Sequence, residues 1–91
     1  MDIVYDIEKN KKNIEKHNIS FEEVINFDFK TASVIVDDRK DYKEVRYISY
    51  GFLDNRLMFL CYVIRNNKLR IVSFRKANKR EVKEYEKTIN K

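Results

Sequence analysis

Proline is absent from the 91 residues, and glycine occurs once, at Gly51. Loops are therefore expected to be short. Turns must draw on Asn and Asp, which tolerate left-handed backbone better than most side chains. The single cysteine, Cys61, excludes an intramolecular disulfide, and inside an apolar run it reads as a small buried hydrophobe. One His and one Cys are too few for a zinc site of the usual Cys/His kind. The residues call for no metal and no cofactor. The longest apolar stretch, Leu57 to Ile64, falls far short of a membrane span. The N-terminus lacks the basic start and apolar core of a signal peptide. No membrane partner is expected, and a reducing cytoplasm is the expected compartment.

What is present is globular. Hydrophobic residues make up 43% and charged residues 38% of the chain, which suits one small domain over residues 1–91 with a heavily charged surface. The net charge is +5, and it is unevenly spread. Arg65 to Lys91 holds ten basic and three acidic residues, a local +7, whereas Met1 to Ile64 is −2. A basic block on one part of a domain suits a phosphate-rich partner or an acidic protein. It is equally what a solvated basic helix looks like.

The pattern of the chain predicts α+β architecture. Met1 to Tyr5 alternates like a short edge strand. Asp6 is placed to cap a helix that runs through Lys9 to His17, with Ile7 and Ile14 on one face and Asn18 as a left-handed stop. Ser20 and Glu23 have capping-box spacing, and Phe21, Val24 and Ile25 form the stripe of a second short helix. Four strands are then expected, at Ala32–Val36, Val45–Phe52, Leu57–Ile64 and Leu69–Phe74. The third, nearly all apolar, reads as central and covered on both faces. Leu53 to Arg56 and Arg65 to Lys68 are turns too short for a crossover, so the last three strands form an antiparallel meander. Asn78 caps a last helix with Glu81 three residues on, and Val82, Tyr85 and Ile89 make its packing stripe. The expected order is two helices, an antiparallel meander of about four strands, and a C-terminal helix.

Two stretches are similar to the BrnT toxin family. The first runs Tyr5-Asp6, Lys9, Asn13, Lys16-His17-Asn18-Ile19-Ser20-Phe21-Glu22-Glu23. The second is the basic strand-into-helix run Arg70-Ile71-Val72-Ser73-Phe74-Arg75-Lys76-Ala77, continuing to Arg80-Glu81 and Tyr85. With Arg46 and Gly51 between them, the resemblance spans nearly the whole chain. Tyr5 stands where the family usually has Trp, which keeps a stacking face but changes size and polarity. Asn18 stands where Gly is usual and can adopt the same left-handed backbone. The resemblance implies a RelE/ParE-like fold, ribonuclease activity that halts translation, and neutralisation by a BrnA-type antitoxin. That antitoxin would carry a ribbon-helix-helix region, and operator DNA would be reached only through it.

RNA cleavage without a metal needs three things. A base takes the proton of the attacking 2′-hydroxyl, an acid protonates the leaving 5′-oxygen, and cations stabilise the phosphorane. Arg75, at the end of the fourth strand, suits the cation, because a guanidinium stays charged and grips two phosphate oxygens. Glu81 is either a base, the group that orients Arg75, or a capping residue bonded to Asn78. His17 is the side chain with an ordinary pKa near neutrality; it serves either as acid/base or as a partner of the helix C-terminus. Arg46 and Arg70 oppose the apolar faces of their strands and either line an RNA groove or face solvent. Tyr85 is core, with a hydroxyl to spare. Lys16 suits a phosphate contact, and Lys76, Lys79, Arg80 and Lys83 suit contacts to phosphates or to an acidic antitoxin segment. The remaining alternatives are a non-catalytic nucleic-acid-binding module and an antitoxin-binding regulator.

Overall fold

Asn and Asp take the positions that the missing glycines leave open. Positive φ occurs at Asn18 (57°), Asp54 (54°), Asn66 (51°) and Asn67 (61°), among the described residues. The computed structural model describes residues 1–89. Its elements in chain order are β1 (Asp2–Val4), α1 (Ile7–His17), a 3-10 helix (Phe21–Asn26), β2 (Ser33–Val36), β3 (Tyr47–Leu53), β4 (Arg56–Arg65), β5 (Lys68–Lys76) and α2 (Lys79–Ile89). The two left-handed asparagines, Asn66 and Asn67, close the β4–β5 hairpin between the paired Arg65 and Lys68.

The architecture is α+β, as expected, but the sheet is larger and of a different kind. It has five strands in the order β1-β5-β4-β3-β2. The β2-β3-β4-β5 part is an antiparallel meander. β1 adds to it in parallel, pairing Asp2–Val4 with Lys68–Arg70, so the sheet is mixed. The expected edge strand at the N-terminus thus exists, and its partner lies more than sixty residues along the chain.

The second helix is a 3-10 helix, and its geometry corrects the expected stripe. With three residues per turn, positions 21, 24 and 27 line up. Phe21, Val24 and Phe27 are buried, while Ile25 points into solvent at 79% exposure. Ser20 caps through Glu22 N–H (3.1 Å), and the Asn10 side chain accepts from Phe21 N–H (2.8 Å). In α1, Asp6 caps as expected, accepting from the Glu8 and Lys9 amides. Its inward residues are polar, however: Asn13 is buried, and Ile7 and Ile14 are exposed.

β4 is central and buried from Leu57 to Val63. One face of the sheet carries the main core, where Met58, Leu60, Tyr62, Leu69, Ile71 and Phe74 meet Phe21, Val24 and Phe27. On the other face Ile48, Phe59 and Cys61 form a second, smaller cluster with Tyr50 and Val72. A β-bulge decides which β5 residues reach which face. Cys61 pairs with Ser73 but Tyr62 pairs with Ile71, so Val72 is an extra residue on β5. Ile71 and Phe74 can therefore both face the main core although they are three apart. Arg75, next to Phe74, then points to the opposite face, above Phe59.

Candidate functional site: a cationic cleft on the second face of the sheet

Five basic side chains converge on this face. Lys16, His17, Arg39, Arg46 and Arg75 line a groove of about 220 Å³ with Phe59, Cys61, Val72 and Ser73. Among the described residues, no carboxylate lines it. Each basic group arrives by a separate route.

The bulge delivers Arg75, whose guanidinium carbon sits 3.9 Å from the Phe59 ring centroid. Phe59 is the cross-strand partner of Arg75, so ring and guanidinium stack by register. Glu81 holds the far side of the guanidinium. Arg75 Nη1 donates to Glu81 Oε1 (2.7 Å) and Nη2 to Oε2 (3.0 Å), a bidentate pair. The same carboxylate accepts from Asn78 N–H (2.9 Å) and from the Tyr50 hydroxyl (2.9 Å). Asn78 in turn accepts from Glu81 N–H (2.8 Å), so the expected capping box is complete. Burial alone would raise the Glu81 pKa, but Arg75, Asn78 N–H and Tyr50 outweigh it and hold the carboxyl at about 2. Burial, with Glu81 alongside, pushes the Tyr50 hydroxyl up to about 12.

Asn13 docks α1 and so places Lys16 and His17. Its amide donates to the Phe74 carbonyl (2.8 Å) and its oxygen accepts from Phe74 N–H (3.3 Å). β1 pairs with β5 only as far as Arg70, so Asn13 does for Phe74 what a neighbouring strand would. His17 lies one turn further along α1, beside Arg75. Burial lowers its pKa first, and the charges of Lys16 and Arg75 lower it further. Each of these favours the neutral imidazole.

The segment between β2 and β3 brings the other two arginines. Its base is closed by Asp37 N–H on the Arg46 carbonyl (2.8 Å). Arg46 stacks on Tyr42, 3.9 Å from the ring centroid. Arg39 extends towards Phe59, 5.8 Å from its centroid, and lines the cleft.

The other basic positions read from the sequence lie outside this groove. Arg70 lines a smaller groove with Lys9, Arg46 and Arg65. Arg80 and Tyr85 line a larger one of about 430 Å³ between α2 and the β2–β3 edge, where Tyr85 also meets Phe52 edge-to-face at 5.9 Å. Lys76 and Lys79 are exposed at the β5–α2 junction and line none of these grooves. Cys61 is buried as expected, and burial raises its thiol pKa, which suits a packing role. Sequence reasoning missed Arg39, Phe59 and Tyr50. The only available signal was the Asp37-Asp38-Arg39 run in a polar connection.

A groove floored by an aromatic ring and walled by arginine, lysine and histidine has the chemistry to hold an anion. Residues 5–81 match the family described as ribonuclease toxin, BrnT, of type II toxin–antitoxin system. The chain belongs to the BrnT family, and membership implies an antitoxin partner. A search of curated proteins finds no match to the chain. Among the described residues, no helix is long and apolar enough to cross a membrane.

Proposed function

We propose that the chain is a cytoplasmic endoribonuclease toxin that cuts RNA by metal-independent transesterification in the Arg75 cleft, and so inhibits translation. The observation that carries this reading is the convergence of Lys16, His17, Arg39, Arg46 and Arg75 on one groove. Neutral His17 takes the proton of the attacking 2′-hydroxyl. The oxygen forms the new P–O bond of a 2′,3′-cyclic phosphate as the bond to the 5′-oxygen breaks. The Lys16 ammonium, in the same groove, protonates that leaving oxygen. Arg75 and Arg46 stabilise the extra charge on the phosphorane.

Glu81 acts through Arg75. Its carboxylate already accepts four hydrogen bonds and is held at about 2, so it is a weak proton acceptor and a positioning residue. Arg70, Lys76, Lys79 and Arg80 extend the positive field along the RNA, and Tyr85 offers a hydroxyl in the adjoining groove. The fold is of the RelE/ParE-like kind. The antitoxin is BrnA-like, blocks this basic face, and carries a ribbon-helix-helix region through which the complex meets operator DNA.

The test incubates the purified protein with single-stranded RNA in EDTA beside Arg75→Ala. The expected result is 2′,3′-cyclic phosphate ends from the wild type. The variant should lose roughly 10²–10³-fold in rate, as removal of one oxyanion donor does, while keeping its fold and antitoxin binding. RNA binding without cutting, even with translating ribosomes added, would instead make the chain a non-catalytic binding module.

A further inference from the structure

Arg39 belongs to none of the sequence motifs, yet it occupies the cleft. Its guanidinium approaches the same Phe59 ring as Arg75, at 5.8 Å against 3.9 Å. It also lines both the cationic groove and the larger groove under α2, and so stands at their junction. Asp37 fixes it there. Arg39 Nε donates to Asp37 Oδ1 and Nη2 to Oδ2, both at 2.8 Å, and Arg39 N–H donates to Oδ1 at 3.2 Å. The Asp37 side chain is 0% exposed and that of Arg39 is 61% exposed. The Arg39 bonds and a further one from Tyr42 keep the Asp37 carboxyl at about 2 despite burial. The cleft therefore meets the guanidinium and not its counter-ion. This bidentate pairing uses Nε and one proton of Nη2. Both Nη1 protons and the second Nη2 proton have no protein acceptor among the described residues.

An arginine held this way has its rotamer fixed before any ligand arrives, so little is lost on binding. We propose that Arg39 is a third phosphate-binding arginine of the cleft, beside Arg75 and Arg46. It grips the RNA phosphate next to the one held by Arg75, across the Phe59 ring, with Asp37 as its positioning residue. The inference rests on the ribonuclease reading. Because Arg39 holds a phosphate that does not react, its loss raises KM and leaves kcat nearly unchanged.

The experiment uses the full chain and a fluorescent single-stranded RNA with methylated 2′-hydroxyls, which binds and cannot be cut. Dissociation constants are measured across a salt series for wild type, Arg39→Ala and Arg39→Lys, with KM and kcat on the same RNA with free 2′-hydroxyls. For Arg39→Ala the expected result is about tenfold weaker binding and a salt slope shallower by about 0.7, the value of one single-strand phosphate contact. Arg39→Lys should keep the slope, because the charge remains. The double variant Asp37→Asn/Arg39→Ala removes the buried carboxylate charge as well, and serves if the single variant unfolds. Wild-type affinity and slope in a folded Arg39→Ala or double variant, beside a wild type that binds and cuts, would overturn this inference alone. A wild type that neither binds nor cuts RNA would overturn the ribonuclease reading, and this inference with it.

Discussion

At Gly51 a β-carbon would lie 2.7 Å from Phe27 Cζ, 2.8 Å from Ala32 Cβ and 3.1 Å from the Asp28 carbonyl oxygen. The glycine is there for space, since its φ is not positive. Gly51→Ala is expected to cost about 1–3 kcal/mol by overpacking, read as a lower thermal midpoint. His17 makes a separate prediction. Its folded pKa lies below 6.5 through burial and the charges of Lys16 and Arg75. In the proposed mechanism the neutral form is the base, so cleavage should rise with pH through a midpoint below 6.5. A depressed folded pKa also means that the unfolded chain binds more protons, so the His17 contribution to stability falls as pH drops below 6.5. Lys16→Gln should lower the rate, since it removes the proposed acid, and move the acid limb of what remains to higher pH. A limb that stays unchanged in His17→Ala would remove this histidine from the proton transfer. Single residues were the most legible scale in the sequence: the Asn18 stop, the Asp6 cap and the Asn78–Glu81 box need only near neighbours.

Among the elements, α1 depends on a polar contact where a hydrophobic stripe was expected. Asn13 is buried and satisfies both backbone groups of Phe74. Asn13→Ala leaves those groups unpaired, and should cost about 1–3 kcal/mol in urea unfolding. Cleavage should fall too, because α1 carries Lys16 and His17. An unchanged rate in a folded Asn13→Ala would show that α1 needs no such docking. The meander was readable because hydrophobic runs and Asn/Asp turns are local signals. The β1–β5 pairing was not, since nothing near Asp2 refers to Lys68. Nor was the bulge at Val72, because simple alternation would send Ile71 and Phe74 to opposite faces. The 3-10 helix was misread for a similar reason: Phe21, Val24 and Ile25 fit an α-helical stripe, and only the next residue inward, Phe27, reveals the tighter turn.

At the scale of the molecule, charge counted by segment differs from charge as the fold gathers it. The C-terminal third carries a local +7, yet it gives the cleft only Arg75 among the five basic groups. Lys16, His17, Arg39 and Arg46 come from the stretch that is −2 overall, and the fold gathers them while Asp37 and Glu81 lie behind arginines. A sum over sequence cannot see which charges share a face. The same arrangement ties α2 to the chemistry. The only buried residue of α2 is Glu81, the carboxylate that braces Arg75, while Val82 and Tyr85 are half-covered and Ile89 is 60% exposed. Docking of α2 and bracing of Arg75 are therefore coupled: an opening of α2 would take Glu81 away from the guanidinium. Amide hydrogen exchange can follow this opening directly. In Glu81→Gln the α2 amides should exchange about tenfold faster or more, while those of central β4 stay protected, with cutting reduced in proportion. Equal exchange along α2 in both proteins would mean that the helix has another anchor.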